Sequence, residues 1–322
     1  RRHQNANTIN IMNNNSKIYV TAQSFLLVIS LAVILGLMGW LLGEAPLALL
    51  AVGTVVLLYL INPMVPPQVI LKLQKVRRLN YHEAPYLYGI LQTLSQRAQL
   101  PHLPRLYYNP STEMNAFTIG NRKNAAIAVT DGLLRNLDRN EFSAVMAHEI
   151  SHLKHNDLRI MGFAALSSQL VQMLAFIGQL LLLINLPLLL LGQYTISWAA
   201  ILLLIVAPSV SALLHLALSR TREYRADIGA ADLMGDGRTL ASALEKIETF
   251  QKRYVRAMLW PGFRPVPAGH LLRTHPPTKE RIKRLLGYTA QRPKATGLNV
   301  VRRERISPQI LSQMPRRWSW TN

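Results

Sequence analysis

Cysteine is absent from this 322-residue chain. No disulfide framework is available to it, which is compatible with a reducing compartment. Any metal site must draw on His, Asp and Glu. Acidic residues are also scarce: 16 Asp+Glu face 36 Lys+Arg, a formal net charge of +20. Such a balance raises nucleic acid as a partner. The basic residues are scattered over several segments with no recognisable nucleic-acid module, so no nucleic acid is expected. One long stretch has no charge at all. Between Arg159 and Arg220 there is no Lys, Arg, Asp or Glu. Half of the chain is hydrophobic, and this separation of charged from apolar segments fits a membrane protein better than a soluble globule.

The apolar runs define the expected organisation. Residues 1–18 are polar and Asn-rich and read as a disordered tail. The chain opens on Arg1, not Met, so a truncated or processed start is expected. Residues 19–66 hold two apolar runs, Ser24 to Leu42 and Pro46 to Val65, parted by Gly43-Glu44-Ala45 and ended by Pro66-Pro67. A spanning helix needs about 20 residues, so this is a transmembrane hairpin with a tight turn. A second span follows at once and no small-residue cleavage site stands out, which excludes a cleaved signal peptide. The uncharged stretch 160–219 predicts a second hairpin, with spans over 160–184 and 196–218. Gln169, Gln172 and Gln179 favour a face packed on protein. A buried helical hairpin in a soluble protein is the competing reading.

Both hairpin turns lack Lys and Arg. All basic residues then fall on one side, which the positive-inside rule makes the cytoplasm. Multi-pass insertion in a bacterial-type inner membrane follows, with both termini and the remaining segments, 67–159 and 220–288, cytoplasmic.

Within 67–159 an amphipathic helix is predicted over Tyr81 to Ala98. Leu106 to Tyr108 reads as a strand. Ala116 to Ile119 and Ala125 to Val129 read as two more, joined as a hairpin. Asp138 with Glu141 resembles a capping box and predicts a helix start there. Residues 220–260 read as helical with a break at Asp236-Gly237, 260–267 as a loop, and Thr278 to Leu286 as a short helix. The basic tail, 289–322, carries Trp318 and Trp320 and reads as disordered or as an interfacial anchor.

The chemistry sits in Ala147-His148-Glu149-Ile150-Ser151-His152. Two histidines four residues apart share one helical face. They can hold one metal ion, with Glu149 near any water that the metal binds. This is the His-Glu-x-x-His zinc hydrolase pattern. Catalytic zinc usually has three protein ligands and an open position. The metzincin continuation is excluded, because His155 and Leu158 stand where it wants Gly and His. After Asp157, too close on the same helix to close a site easily, the next acidic residue is Glu223. His215 lies inside a predicted span. Glu223 and Asp227 share a helical face: one as ligand, the other as hydrogen-bond partner to an imidazole. A surface Glu–Arg–Asp cluster is the equal alternative on spacing alone.

The run from His148 to Asp157 resembles the HtpX-type membrane zinc metallopeptidases, relatives of the CAAX prenyl proteases and the mitochondrial OMA-type proteases. Asn115-Ala116-Phe117 is similar to the start of that family's Asn-Ala-Phe-Ala-Thr-Gly segment. The chain departs from it at Thr118-Ile119 and rejoins at Gly120. Ser219 to Asp227 resembles the family's third-ligand helix, and Thr274 to Ile282 its His-Pro-Pro segment. The two hairpins fall in the matching places. The resemblance covers about residues 20–288. It implies a mainly α fold with a small β-sheet: a zincin-like (gluzincin) catalytic domain with four transmembrane helices in two hairpins. It implies one zinc ion per chain on His148, His152 and Glu223, with Glu149 as acid/base. It also implies a part in quality control of membrane proteins.

The expected function is therefore a membrane-bound zinc endopeptidase acting on misfolded or membrane polypeptides at the lipid bilayer's cytoplasmic face. Asp227 is a candidate partner of a zinc-binding imidazole. Asn115 and Ala116, on an expected edge strand, are candidates for binding an extended substrate. His275 is a candidate oxyanion donor, or a turn residue before Pro-Pro. Two other readings remain at this point. One is a non-catalytic membrane scaffold with a structural zinc. The other is a di-iron membrane enzyme, which would want several His clusters where only one exists.

Overall fold

The computed structural model describes residues 2–61, 71–72, 74, 76–184, 186–187, 191–192, 198–258 and 277–291. His275, the 260–267 loop and the tail after Gln291 lie outside the described residues. In chain order the elements are α1 (Arg2–Ile61), β1 (Arg77–Arg78), α2 (Pro85–Arg97), β2 (Arg105–Asn109), β3 (Ala116–Asn121) and β4 (Asn124–Thr130). They continue with α3 (Asp131–Asn136), α4 (Arg139–His155), α5 (Asp157–Ile184), α6 (Trp198–Met234), α7 (Arg238–Met258) and α8 (Thr278–Gln291). The fold is mainly helical with one mixed four-stranded sheet. The chain divides into two compact units: Arg1–Met64 with Ile160–Ser219, and Val65–Arg159 with Arg220–Asn322.

In the first unit α1 is not one straight rod. Glu44 has φ 54°. A Cβ placed on Gly39 would lie 2.5 Å from the Leu47 carbonyl oxygen, whereas eight residues of straight helix span about 12 Å. The chain therefore doubles back at Glu44, and Gly39 lets the two arms meet. Leu27, Leu31, Leu35 and Met38 pack with Val55, Phe163 and Val171 in this unit's core. Phe163 also meets Tyr59 edge-on, with ring centroids 5.3 Å apart. Ser211 donates to Ser168 at 3.0 Å, and Gln179 donates to the Leu204 carbonyl at 3.3 Å. Gln169, Gln172 and Gln179 are all exposed, and of the expected polar face Gln179 makes the bond to the Leu204 carbonyl.

Two further expectations change here. The Asn-rich start is helical from Arg2. No Gly or Pro interrupts 2–25, so a helix nucleated in the apolar run can propagate backwards through it. Among the described residues, two of the four expected spans are long and apolar enough to cross a membrane, Asp157–Leu180 and Ile201–Met234. Phe25–Leu41 and Glu44–Leu60 are apolar but no longer than 17 residues. At 1.5 Å per residue that is about 25 Å, short of the ~30 Å hydrocarbon core.

The second unit is built around the sheet, in the order β1-β2-β4-β3. β2 and β4 run parallel, and β3 and β4 form the expected antiparallel hairpin. The Asn121 side chain closes its turn by accepting from the Lys123 and Asn124 amides at 2.9 and 3.0 Å. β1 was not foreseen: it has two residues, both arginine, with no strand pattern. α2 starts later than its pattern, because Pro85 fits the first helical turn. Leu87, Leu91 and Leu94 of α2 pack with Leu106, Ile127 and Val129 of the sheet and with Phe142 and Ile150 of α4. The break expected at Asp236-Gly237 falls between α6 and α7. α6 is continuous from Trp198 to Met234, so the division between the two units at Ser219 and Arg220, where the composition also changes, falls inside one helix.

The Gly39 contact is testable. Gly39→Val should destabilise the first unit by about 1–3 kcal/mol through overpacking. Gly53→Val should be far milder, since nothing lies within 4 Å of a Cβ there. Thermal unfolding of the purified variants in detergent checks the order.

Candidate active site

The helix that carries the two histidines is held at both ends. Asp138 Oδ1 accepts from the Glu141 amide at 2.9 Å, and Glu141 Oε2 accepts from the Asp138 amide at 3.0 Å. This capping box satisfies amides that the first turn leaves without partners. Glu141 also accepts from Ser242 Oγ and Lys246 Nζ of α7, both at 2.7 Å. At the far end Asn156 takes the left-handed conformation, φ 58° and ψ 33°, and its amide returns to the His152 and Leu153 carbonyls. Every residue of α4 from Glu141 to Leu153 is buried. His148, Glu149 and His152 thus sit on a rigid core helix.

Spacing of four brings the two imidazoles together. His148 Nε2 and His152 Nε2 lie 3.2 Å apart, with ring planes at 87°. Glu223, from α6, completes the group: Oε2 is 3.4 Å from His148 Nε2 and Oε1 is 3.5 Å from His152 Nε2. A tetrahedral zinc with ligands at about 2.0–2.1 Å has ligand–ligand edges of about 3.4 Å. The His148–His152 separation is close to that edge, and a different oxygen of Glu223 faces each imidazole nitrogen at a similar distance. Among the described residues this trio is the cluster suited to a metal ion, and its donor set of two imidazoles and a carboxylate fits zinc with one position left open.

Each imidazole has a carboxylate behind it. His148 Nδ1 is 3.0 Å from Asp227 Oδ1, an ion-pair distance without a well-aligned hydrogen bond. His152 Nδ1 is 3.3 Å from Asp157 Oδ2. These contacts leave Nε2 of both rings pointing at the shared position, which is how such partners orient metal-binding histidines. The carboxylates are in turn held by arginines. Arg281 grips Asp227 with Nε at 2.8 Å and Nη2 at 2.6 Å, and its Nη1 is 3.2 Å from Glu223 Oε2. Arg222 Nη1 donates to Asp157 Oδ1 at 2.9 Å, and Arg225 donates to the same oxygen.

Burial alone would push both imidazoles towards the neutral form. The facing carboxylates override it. Asp227 and Glu223 hold His148 above its usual value, and Asp157 and Glu223 push His152 up to about 10. The cluster favours positive charge, as a cation site should. Arg281 is likewise raised, against its burial, by Asp227 and Glu223.

Glu149 faces the sheet. Its Oε2 accepts from Thr118 Oγ1 of β3 at 2.6 Å. Ala116 opens β3, two residues earlier. Asn115 is exposed; its amide donates to Thr130 Oγ1 at 2.9 Å and its carbonyl accepts from the Thr130 amide at 3.1 Å. The structure therefore gathers His148, Glu149, His152, Glu223 and Asp227 and lays β3 beside them. Sequence reasoning missed Arg281, Arg222, Arg225 and the orienting role of Asp157. Asp157 was weighed only as a ligand; its place two residues past the motif helix was the available signal.

Paired histidines backed by carboxylates, with a further glutamate alongside, define a metal-dependent hydrolase. The comparisons give the family. The model described as Peptidase family M48 matches residues 81–289. A "Protease HtpX homolog" of Pelotomaculum thermopropionicum is 34% identical over 295 residues, covering 84% of this chain and 98% of that one. A "Protease HtpX homolog" of Thermococcus sibiricus is 37% identical over 238 residues, 68% of this chain and 78% of the other. Among solved structures, "Crystal Structure of S. mikatae Ste24p" aligns with a TM-score of 0.45 at 17% identity, covering 83% of this chain and 67% of that chain. The chain belongs to peptidase family M48, and it is a metalloprotease.

Two outcomes follow from the carboxylates behind the rings. Asp157→Asn should weaken zinc binding about 10–100-fold, measured by competition with a chelator. In metal-free protein the raised His152 adds stability that is fully present below its unfolded value of 6.5. That stability is lost as pH rises towards about 10. Thermal midpoints of stripped protein should fall across that window, whereas metal-loaded protein, with both imidazoles already deprotonated, should not show this loss.

Proposed function

We propose that the protein is a membrane-embedded endopeptidase dependent on one zinc ion per chain, with His148, His152 and Glu223 as ligands and Glu149 as acid/base. The observation that carries this reading is that His148, His152 and Glu223 are buried together and each offers a ligand atom within 4.8 Å of the others, with one Glu223 oxygen facing each imidazole at 3.4 and 3.5 Å. When bound, zinc supplies Lewis acidity, acidifying a water molecule and polarising the scissile carbonyl. Glu149 takes the proton of the attacking water and passes it to the leaving amine. Asp227 and Asp157 keep the two rings in the tautomer that offers Nε2. Ala116, directly after Asn115, begins the edge strand on which an extended polypeptide adds by main-chain hydrogen bonds, with the exposed Asn115 side chain beside it. That mode gives little sequence preference and suits misfolded or membrane proteins as substrates. His275 stays the candidate donor to the developing oxyanion.

The bilayer is the second partner. Phe25, Leu49, Phe176, Leu202 and Leu213 are large apolar side chains left exposed in the first unit, which supports lipid contact along both hairpins, 19–66 and 160–219. Four spans require the two shorter helices to cross as well, with thinning or snorkelling at their ends. Turns without basic residues support a cytoplasmic catalytic part, assembled from 67–159 and 220–288. Glu223 follows the uncharged stretch by four residues, which supports action at the cytoplasmic face of a bacterial-type inner membrane.

Glu149→Gln should retain zinc and lose casein and self-cleavage by at least about 100-fold. Undiminished cleavage by the pure variant overturns Glu149 as acid/base; zinc-loaded parent protein that cleaves neither casein nor itself would instead favour a scaffold with a structural zinc. A tag in the Glu44 turn should be reached only from outside the cytoplasm; cytoplasmic labelling overturns the orientation.

A further inference from the structure

Thr118 stands where the resembling segment has alanine, and its placement gives it two jobs at once. The Thr130 amide bonds to the Asn115 carbonyl, which makes Asn115–Thr130 a hydrogen-bonded pair. Such pairs alternate along an antiparallel ladder. With the register Ala116↔Val129, Phe117↔Ala128 and Thr118↔Ile127, Phe117 faces β4 with its peptide groups, while those of Ala116 and Thr118 face the other way. β3 is the last strand of the sheet, so Ala116 and Thr118 present their N–H and C=O to its open edge. The Thr118 side chain stands out of the sheet plane, is buried, and donates to Glu149 Oε2 at 2.6 Å.

We propose that Thr118 is a positioning residue that ties the substrate-binding edge to the catalytic base: its main chain pairs with the extended substrate while its hydroxyl holds one oxygen of Glu149, leaving the other to face the reacting water. This inference rests on the reading of Glu149 as acid/base. A glutamate carboxylate turns about three side-chain bonds and loses little by swinging away; a short hydrogen bond from a strand residue removes that freedom. It also fixes the base relative to the strand that registers the scissile bond. Docking and proton transfer then share one rigid element.

The test uses full-length protein in detergent with casein as probe, measuring kcat, KM, zinc content and thermal midpoint. Thr118→Val keeps the shape and removes the hydroxyl, Thr118→Ala removes both, and Thr118→Ser restores the donor. Val and Ala should lower kcat about 10-fold, with KM within about twofold and zinc content unchanged. Ser should return kcat to within about threefold of the parent. Parental kcat in both Val and Ala variants, with Glu149→Gln inactive, overturns the role of Thr118 alone. So does a Ser variant as slow as Val, or loss of zinc in both Val and Ala. An active Glu149→Gln variant instead overturns the acid/base reading on which this one stands.

Discussion

The second unit depends on a buried charge problem and its solution. Glu149, Asp157, Glu223 and Asp227 are carboxylates in or beside the core, and each is expensive to bury alone. Arg222 and Arg281 are buried with them, at 2% and 4% exposure. Breaking one partner out of such a set costs more than forming the pair gains, because the remaining charge is stranded. The arginines come from α6 and α8, the carboxylates from α4–α5 and α6, so the ion pairs bind these helices to one another. The carboxylates outnumber the guanidinium groups in this shell, and that imbalance raises the two histidines. Stability and cation affinity thus come from the same arrangement.

The motif helix is placed by a different means. Its capping box is local, but Glu141 also takes Ser242 and Lys246 from α7. One side chain therefore sets the helix start and ties it to a helix about a hundred residues later. At the other end the left-handed Asn156 separates α4 from α5 in a single residue. That sharp break lets Asp157 turn back onto His152 instead of continuing along the same helical face. A longer link would lose the contact.

What was legible in the sequence is what is local. Spacing of four put His148 and His152 on one face, and their nitrogens meet at 3.2 Å. Turn composition marked the β3–β4 hairpin, and Asp138 with Glu141 marked a helix start. The absence of acid between Asp157 and Glu223 pointed to α6, and Glu223 lies there beside both rings. Long-range pairing was not legible. Arg281 sits on a helix rich in lysine and arginine, where nothing local distinguishes the buried one. Arg77-Arg78 carries no strand alternation; it is a strand only because β2 accepts it. The continuity of α6 was hidden by a change from apolar to charged composition, which alters the surroundings of a helix without ending it.

The order of the parts along the chain has a consequence for biosynthesis. His148 and His152 leave the ribosome well before Glu223, and Arg281 later still. The whole uncharged stretch must be made in between. Until it has emerged, a nascent chain carries His148, Glu149 and His152 without Glu223 and without the guanidinium groups of Arg222 and Arg281. The order of synthesis thus keeps the parts of this buried cluster apart until both halves of the second unit have been made.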